Sequence, residues 1–168
     1  MAALHGQQNT LILPRSVEQE MSRHMHLSLP QEACGVVLGE SAAGGIRISR
    51  FQPIRNVAPD PLHHFSLDQT EWIQCFYSEC TIVGIFHSHP YTWPIPSQED
   101  LQSLPHFAGM LQAYLIGAPD LSTPASREMA SPMLLNSYQI IADEEQRRSE
   151  PSPIPPTYSL VPLALCMT

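Results

Sequence analysis

The chain has 168 residues, 43% of them hydrophobic, enough for one domain with its own core and too few for two of ordinary size. Its formal net charge is -8 and its eight basic residues are all arginine, so it lacks the basic stripe that would make nucleic acid a partner. No apolar run is long enough to cross a bilayer, and residues 1–10 lack the basic-then-apolar pattern of a secretory signal, which makes the cytoplasm the expected compartment.

In chain order, Leu11 to Leu13 reads as a short first strand. Arg15 to Leu29 follows as a helix, with Val17, Met21 and Met25 at helical spacing and Pro30 as its stop. Cys34 to Gly39 is an apolar run suited to a central strand, and Ile46 to Phe51 alternates apolar with polar residues. The small residues Ser41 to Gly45 join them as a hairpin. Pro53 to Pro61 is a loop, His64 to Ser66 a short strand, and Asp68 to Glu79 a helix with Ser66 or Asp68 as its cap.

Thr81 to His87 is a buried strand rich in β-branched and aromatic residues. Three prolines stiffen the loop from Pro90 to Pro96, and Ser97 caps a short helix over Gln98 to Leu104. Met110 to Ile116 and Leu134 to Ala142 read as strands, with a polar loop from Gly117 to Met133 between them. These elements indicate an α/β or α+β domain, one mixed sheet flanked by helices, over residues 1–142. A proline-rich linker is expected over 143–157, and an apolar tail over 158–168 that forms an edge strand or docks on the domain. The four cysteines form no C-x-x-C pair and are expected to be reduced and buried.

The chemistry concentrates in the segment from His87 to Asp100. Side chains at i and i+2 of a strand share a face, so His87 and His89 can converge on one ion, while Ser88 points the other way. Asp100 completes the set of three protein ligands that a catalytic zinc takes, with water in the fourth position. Zinc lowers the pKa of its bound water from about 15.7 to about 7. A carboxylate must then carry the proton, and Glu32, just ahead of the Cys34 strand, is the candidate. The Ser97 hydroxyl stands close enough in sequence to Asp100 to stabilise an oxyanion. Ser97 and Asp100 read equally well as a capping box, and both roles hold together because a cap fixes the geometry a ligand needs.

The pattern Glu32, His87-x-His89-Pro90, Ser97-x-x-Asp100 resembles the JAMM metalloprotease motif of the MPN+ domain. Pro30-x-Glu32-Ala33-Cys34-Gly35 and Gly84-Ile85-Phe86-His87-Ser88-His89-Pro90 resemble its two signature segments, and Asn56-x-Ala58 and Phe65-x-x-Asp68 are weaker similarities. The resemblance covers roughly Leu11 to Ala142 and is to the compact prokaryotic members. It implies a single MPN-like domain with a mixed central sheet in a cytidine-deaminase-like layout and one zinc on His87, His89 and Asp100. It further implies Glu32 as general acid/base and Ser97 as the oxyanion donor.

By the same resemblance, the reaction is hydrolysis of a peptide or isopeptide bond at the C-terminal Gly-Gly of a small ubiquitin-like protein, a sulfur carrier above all. That tail would bind as an added strand beside a sheet edge. Trp93, in the stiff loop, either lines the substrate groove or packs the loop, and Ser88 is a second candidate for substrate contact. A homodimer is compatible with the sequence. Two other readings stand beside this one: a deubiquitinase-like isopeptidase, and an MPN-type scaffold without catalysis, which the complete ligand set disfavours. A zinc deaminase is set aside because its H-x-E and P-C-x-x-C elements are absent.

Overall fold

A strand buried on both faces must be apolar along its length, and this requirement selects residues 34–38 and 82–86 as the centre of the sheet. The computed structural model describes residues 10–78, 81–123, 132–143 and 157–168. Its elements run β1 (Thr10–Leu13), α1 (Arg15–Ser28), β2 (Cys34–Ala42), β3 (Gly45–Ile54), α2 (Gln69–Phe76), β4 (Ile82–Ser88) and α3 (Gln98–Ser103). A 3-10 turn over Leu104–His106 leads to β5 (Ala113–Pro119), β6 (Met133–Ala142) and β7 (Tyr158–Met167). The strands close on themselves in the order β1-β3-β2-β4-β5-β6-β7, with β7 parallel to β1.

One face of this mixed sheet is covered by α1. Val17, Met21 and Met25 lie four apart and are buried against Val37, Ile48, Phe51, Phe86 and Leu115. Each such side chain withdrawn from water contributes about 1.5–3 kcal/mol. Phe51 lies so close over Gly35 that a Cβ there would sit 2.5 Å from its ring, so only glycine fits between Cys34 and Val36. On the other face Cys34, Val36, Ile54, Ile85, Tyr114 and Ile116 pack with Cys75 of α2 and with Leu104.

A bulge in β4 decides which face the histidines take. Val37 pairs with Gly84 but Leu38 pairs with Ile82, so Val83 is the extra residue. Strict alternation would put Ile82 and Ile85 on opposite faces; the bulge puts both in the second cluster. His87 therefore follows Ile85 onto the face away from α1, while Phe86 lies on the α1 face.

Several expectations change. The tail is not an edge strand: β7 is paired antiparallel to β6 and parallel to β1, so it completes the barrel and belongs to the domain. Each described strand has a neighbour on both sides, which leaves no edge for strand addition. His64 to Ser66 forms no strand; the chain makes a single bridge there between Asn56 and Leu67. The helix expected over Asp68 to Glu79 runs Gln69–Phe76 with Asp68 as its cap. The strand expected from Met110 starts at Ala113 and takes in Gly117 to Pro119 from the expected loop. Cys34 and Cys75 are free and buried, but Cys166 is exposed, and Cys80 lies outside the described residues. Residues 124–131 of the expected loop and 144–156 of the expected linker also lie outside them.

Candidate metal centre

Strand β4 ends in a buried polar site. His87, at its C-terminal end, is fully buried between the Phe65 ring, stacked at 4.4 Å, and the Tyr114 ring, which meets it edge-on at 5.4 Å. His89 follows one residue past the strand. Its Nδ1–H donates to the Trp93 carbonyl at 2.9 Å, which leaves Nε2 with its lone pair toward His87 and Asp100. Asp100 enters from α3 and is buried. Ser97 and Asp100 form the expected capping box: Asp100 N–H donates to Ser97 Oγ at 3.0 Å and Ser97 N–H to Asp100 Oδ2 at 2.8 Å.

Donor atoms of three residues thus converge. The two Nε2 atoms are 3.0 Å apart, His87 Nε2 lies 3.1 Å from Asp100 Oδ1, and His89 Nε2 lies 3.2 Å from Asp100 Oδ2. Two imidazole nitrogens on a tetrahedral divalent ion at about 2.0–2.1 Å stand ~3.3 Å apart, so the spacing fits a metal ion. Facing lone pairs repel unless a proton or a cation is shared among them, and the carboxylate adds negative charge. The electrostatics follow. Burial holds the His87 imidazole below its ordinary range. Burial also acts to lower His89, but the Asp100 carboxylate and the Trp93 carbonyl outweigh it and raise its pKa. Burial would raise Asp100; the neighbouring His87 and His89 rings and the hydrogen bond from the Ser97 N–H hold it well below the usual carboxylate range.

Glu32 comes to this site from the turn before β2 and is only 8% exposed. Burial pushes its carboxyl up to about 7; the His89 ring opposes this, and the Asp100 and Glu99 carboxylates add to it. Two devices hold the turn. Asn56 donates to the Glu32 carbonyl at 3.0 Å and to the His64 carbonyl at 2.9 Å, and its Oδ1 accepts from Ala58 and Ser66 N–H, each at 3.0 Å. On the other side Ala33 N–H donates to Ser88 Oγ at 2.8 Å, and Ser88 N–H to the Ala33 carbonyl at 3.0 Å. Cys34, two residues after Glu32, is inert: its thiol donates to the Ile54 carbonyl, and burial first pushes its pKa up to about 12.

A model of the family described as prokaryotic homologs of the JAB domain matches residues 14–148. The chain belongs to this family. A "Desampylase" of Haloferax volcanii is 34% identical to this JAB-domain protein over 97 residues, 54% of the chain and 65% of that relative. A Thermus thermophilus protein named "Probable TtuB-protein conjugate cleaving protease" is 27% identical over 96 residues, 55% of the chain and 62% of that relative. The matched stretch thus spans just under two thirds of each relative. The solution structure of protein DSY2949 from Desulfitobacterium hafniense covers 94% of the JAB-domain chain and 92% of its own, with a TM-score of 0.66 at 24% identity, a likeness of fold.

Within the JAB domain the structure brings Glu32, His87, His89, Ser97 and Asp100 to one end of β4. It separates Ser88 from that group. Ser88 lies on the α1 face, is fully buried, and clasps Ala33, so the expected contact with substrate is corrected to a structural one. Trp93 is 72% exposed and lines a groove with Tyr91, Pro119, Leu121 and Leu134. Asn56, Phe65 and Tyr114 build the site without being readable as its parts; only the Asn56-x-Ala58 and Phe65-x-x-Asp68 patterns hinted at the first two. Ser88→Ala leaves the Ala33 N–H without its partner in the interior, and about 1–3 kcal/mol of stability is expected to go with it. Urea unfolding of the variant measures this; unchanged stability with weakened substrate binding would restore the surface role.

Proposed function

We propose that the chain is a zinc-dependent metallopeptidase that hydrolyses the bond after the C-terminal Gly-Gly of a small ubiquitin-like protein. The observation that carries this is the convergence of His87, His89 and Asp100 beside a buried carboxyl, Glu32, poised near neutrality. The names of the Haloferax and Thermus relatives, one a desampylase and the other a conjugate-cleaving protease, agree with it.

His87 Nε2, His89 Nε2 and an Asp100 oxygen would hold the zinc. When bound, zinc makes a water acidic enough to attack at neutral pH and polarises the scissile carbonyl. Glu32 accepts the proton from the attacking water and passes it to the leaving amine, work suited to a carboxyl with a pKa of about 7. Ser97 is exposed at the rim, and its oxygen already accepts from Asp100 N–H, so its own hydrogen is directed outward to the developing oxyanion. The Trp93 groove receives the extended tail, since no described strand offers a free edge. The Pro90–Pro96 loop is braced for this, because the Pro94 carbonyl accepts from Asn136 Nδ2 at 2.9 Å and from the Tyr138 hydroxyl at 3.4 Å.

The test presents the zinc-loaded protein with a ubiquitin-like domain joined through Gly-Gly to a peptide amine or to a lysine side chain. Mass spectrometry should find the cut after the second glycine, and an Ala-Ala tail should stay intact. No cleavage of either substrate, with recovery of the chain in a stable multi-subunit complex, would replace the enzyme by a scaffold.

A further inference from the structure

On the metal side of the sheet, among the described residues, two buried polar atoms have no hydrogen-bond partner: His87 Nδ1 and the Tyr114 hydroxyl. The two rings touch, edge to face, at 5.4 Å and 72°. Tyr114 stands on β5 two residues before Ile116, the residue paired with His87 across the parallel ladder, so both side chains project from the same face. Tyr114 is fully buried. A neutral phenol both donates and accepts.

Each orphan explains the other. A buried hydroxyl without a partner destabilises a fold, and phenylalanine would fill the same space without that cost. His87 can offer the Nε2 lone pair to a metal only if its proton sits on Nδ1, and that buried N–H needs an acceptor to hold the ring and the tautomer. His89 has one, the Trp93 carbonyl. We propose that one ordered water bridges His87 Nδ1–H and the Tyr114 hydroxyl, which makes Tyr114 the positioning residue of the first histidine ligand. The water accepts from Nδ1–H and donates to the phenol oxygen, the kind of buried site that ordered waters occupy. This rests on His87 being a metal ligand.

The test is zinc affinity, read by competition with a chromophoric chelator, for the wild type and Tyr114→Phe, beside the melting temperature of each metal-free protein. The variant should bind zinc about 10–100-fold more weakly, and the visible bands of its cobalt-substituted form should shift. Equal zinc affinity, with a raised melting temperature in the metal-free variant, would overturn the proposal, because that is the result of deleting a truly unpartnered hydroxyl. A wild type that binds no zinc overturns the metal reading itself, a different outcome from a wild type that binds and a variant that binds equally well. If the variant does not fold, diffraction from the wild type at a resolution that shows waters decides. Density at hydrogen-bond distance from both atoms supports the bridge, and an empty gap overturns it.

Discussion

Glu32→Gln is expected to keep the metal and lose turnover by a factor of about 10²–10⁴, the usual share of a positioned acid/base. Glutamine fills the same volume in the turn before β2, and the Glu32 carbonyl and N–H keep their partners on Asn56 and Pro61. Only proton transfer is removed. The same variant tests the electrostatics without any substrate. In the metal-free protein the Glu32 carboxyl is raised from its ordinary 4.5 to about 7 by burial, so its contribution to stability is complete below pH 4.5 and is lost as pH rises through 7. The glutamine variant carries no such loss. It should match the wild type's trend at low pH and exceed it by about 1–3 kcal/mol at pH 8, as read by urea unfolding in the presence of chelator. Equal pH slopes in the two proteins, or normal turnover in the variant, would remove Glu32 from its role.

His89→Ala is expected to abolish metal binding and activity together. His89 supplies one of three donors, so its loss should weaken zinc by more than the ~10–100-fold that follows removal of an outer partner. It also frees the Trp93 carbonyl, the point at which the ligand is tied to the Pro90–Pro96 loop. The His87 and Asp100 pair remains, 3.1 Å apart, as two donors that cannot close a tetrahedral site. Zinc content by plasma mass spectrometry and cleavage rate should fall in step. A variant that holds one zinc per chain, or cleaves without it, would show that the donors are not these three.

The site was legible where its geometry is local. Two histidines two apart on a strand share a face, and a serine three before an aspartate suits a helix cap, so the approach of His87, His89 and Asp100 could be read from spacing. The central strands were legible because the first five residues of β2 and all of β4 are buried on both faces, and both runs are apolar up to the histidine. What depends on distant pairing was not. The bulge at Val83 sets the face of His87, yet it exists only in the pairing with Leu38 and Val37. The tail read as an edge because nothing local in Tyr158–Met167 records that β1, at the start of the chain, lies beside it. Ser88 was placed on the correct face, but its burial follows from Ala33, fifty-five positions earlier. Asn56 shows its worth only when the Glu32 turn and the His64 loop fold over it.

The most direct test of the central claim is cleavage of a Gly-Gly conjugate by the wild type before and after its metal is stripped. The account predicts that activity disappears with chelation and returns on addition of one equivalent of zinc per chain. Undiminished cleavage by the metal-free protein would contradict it.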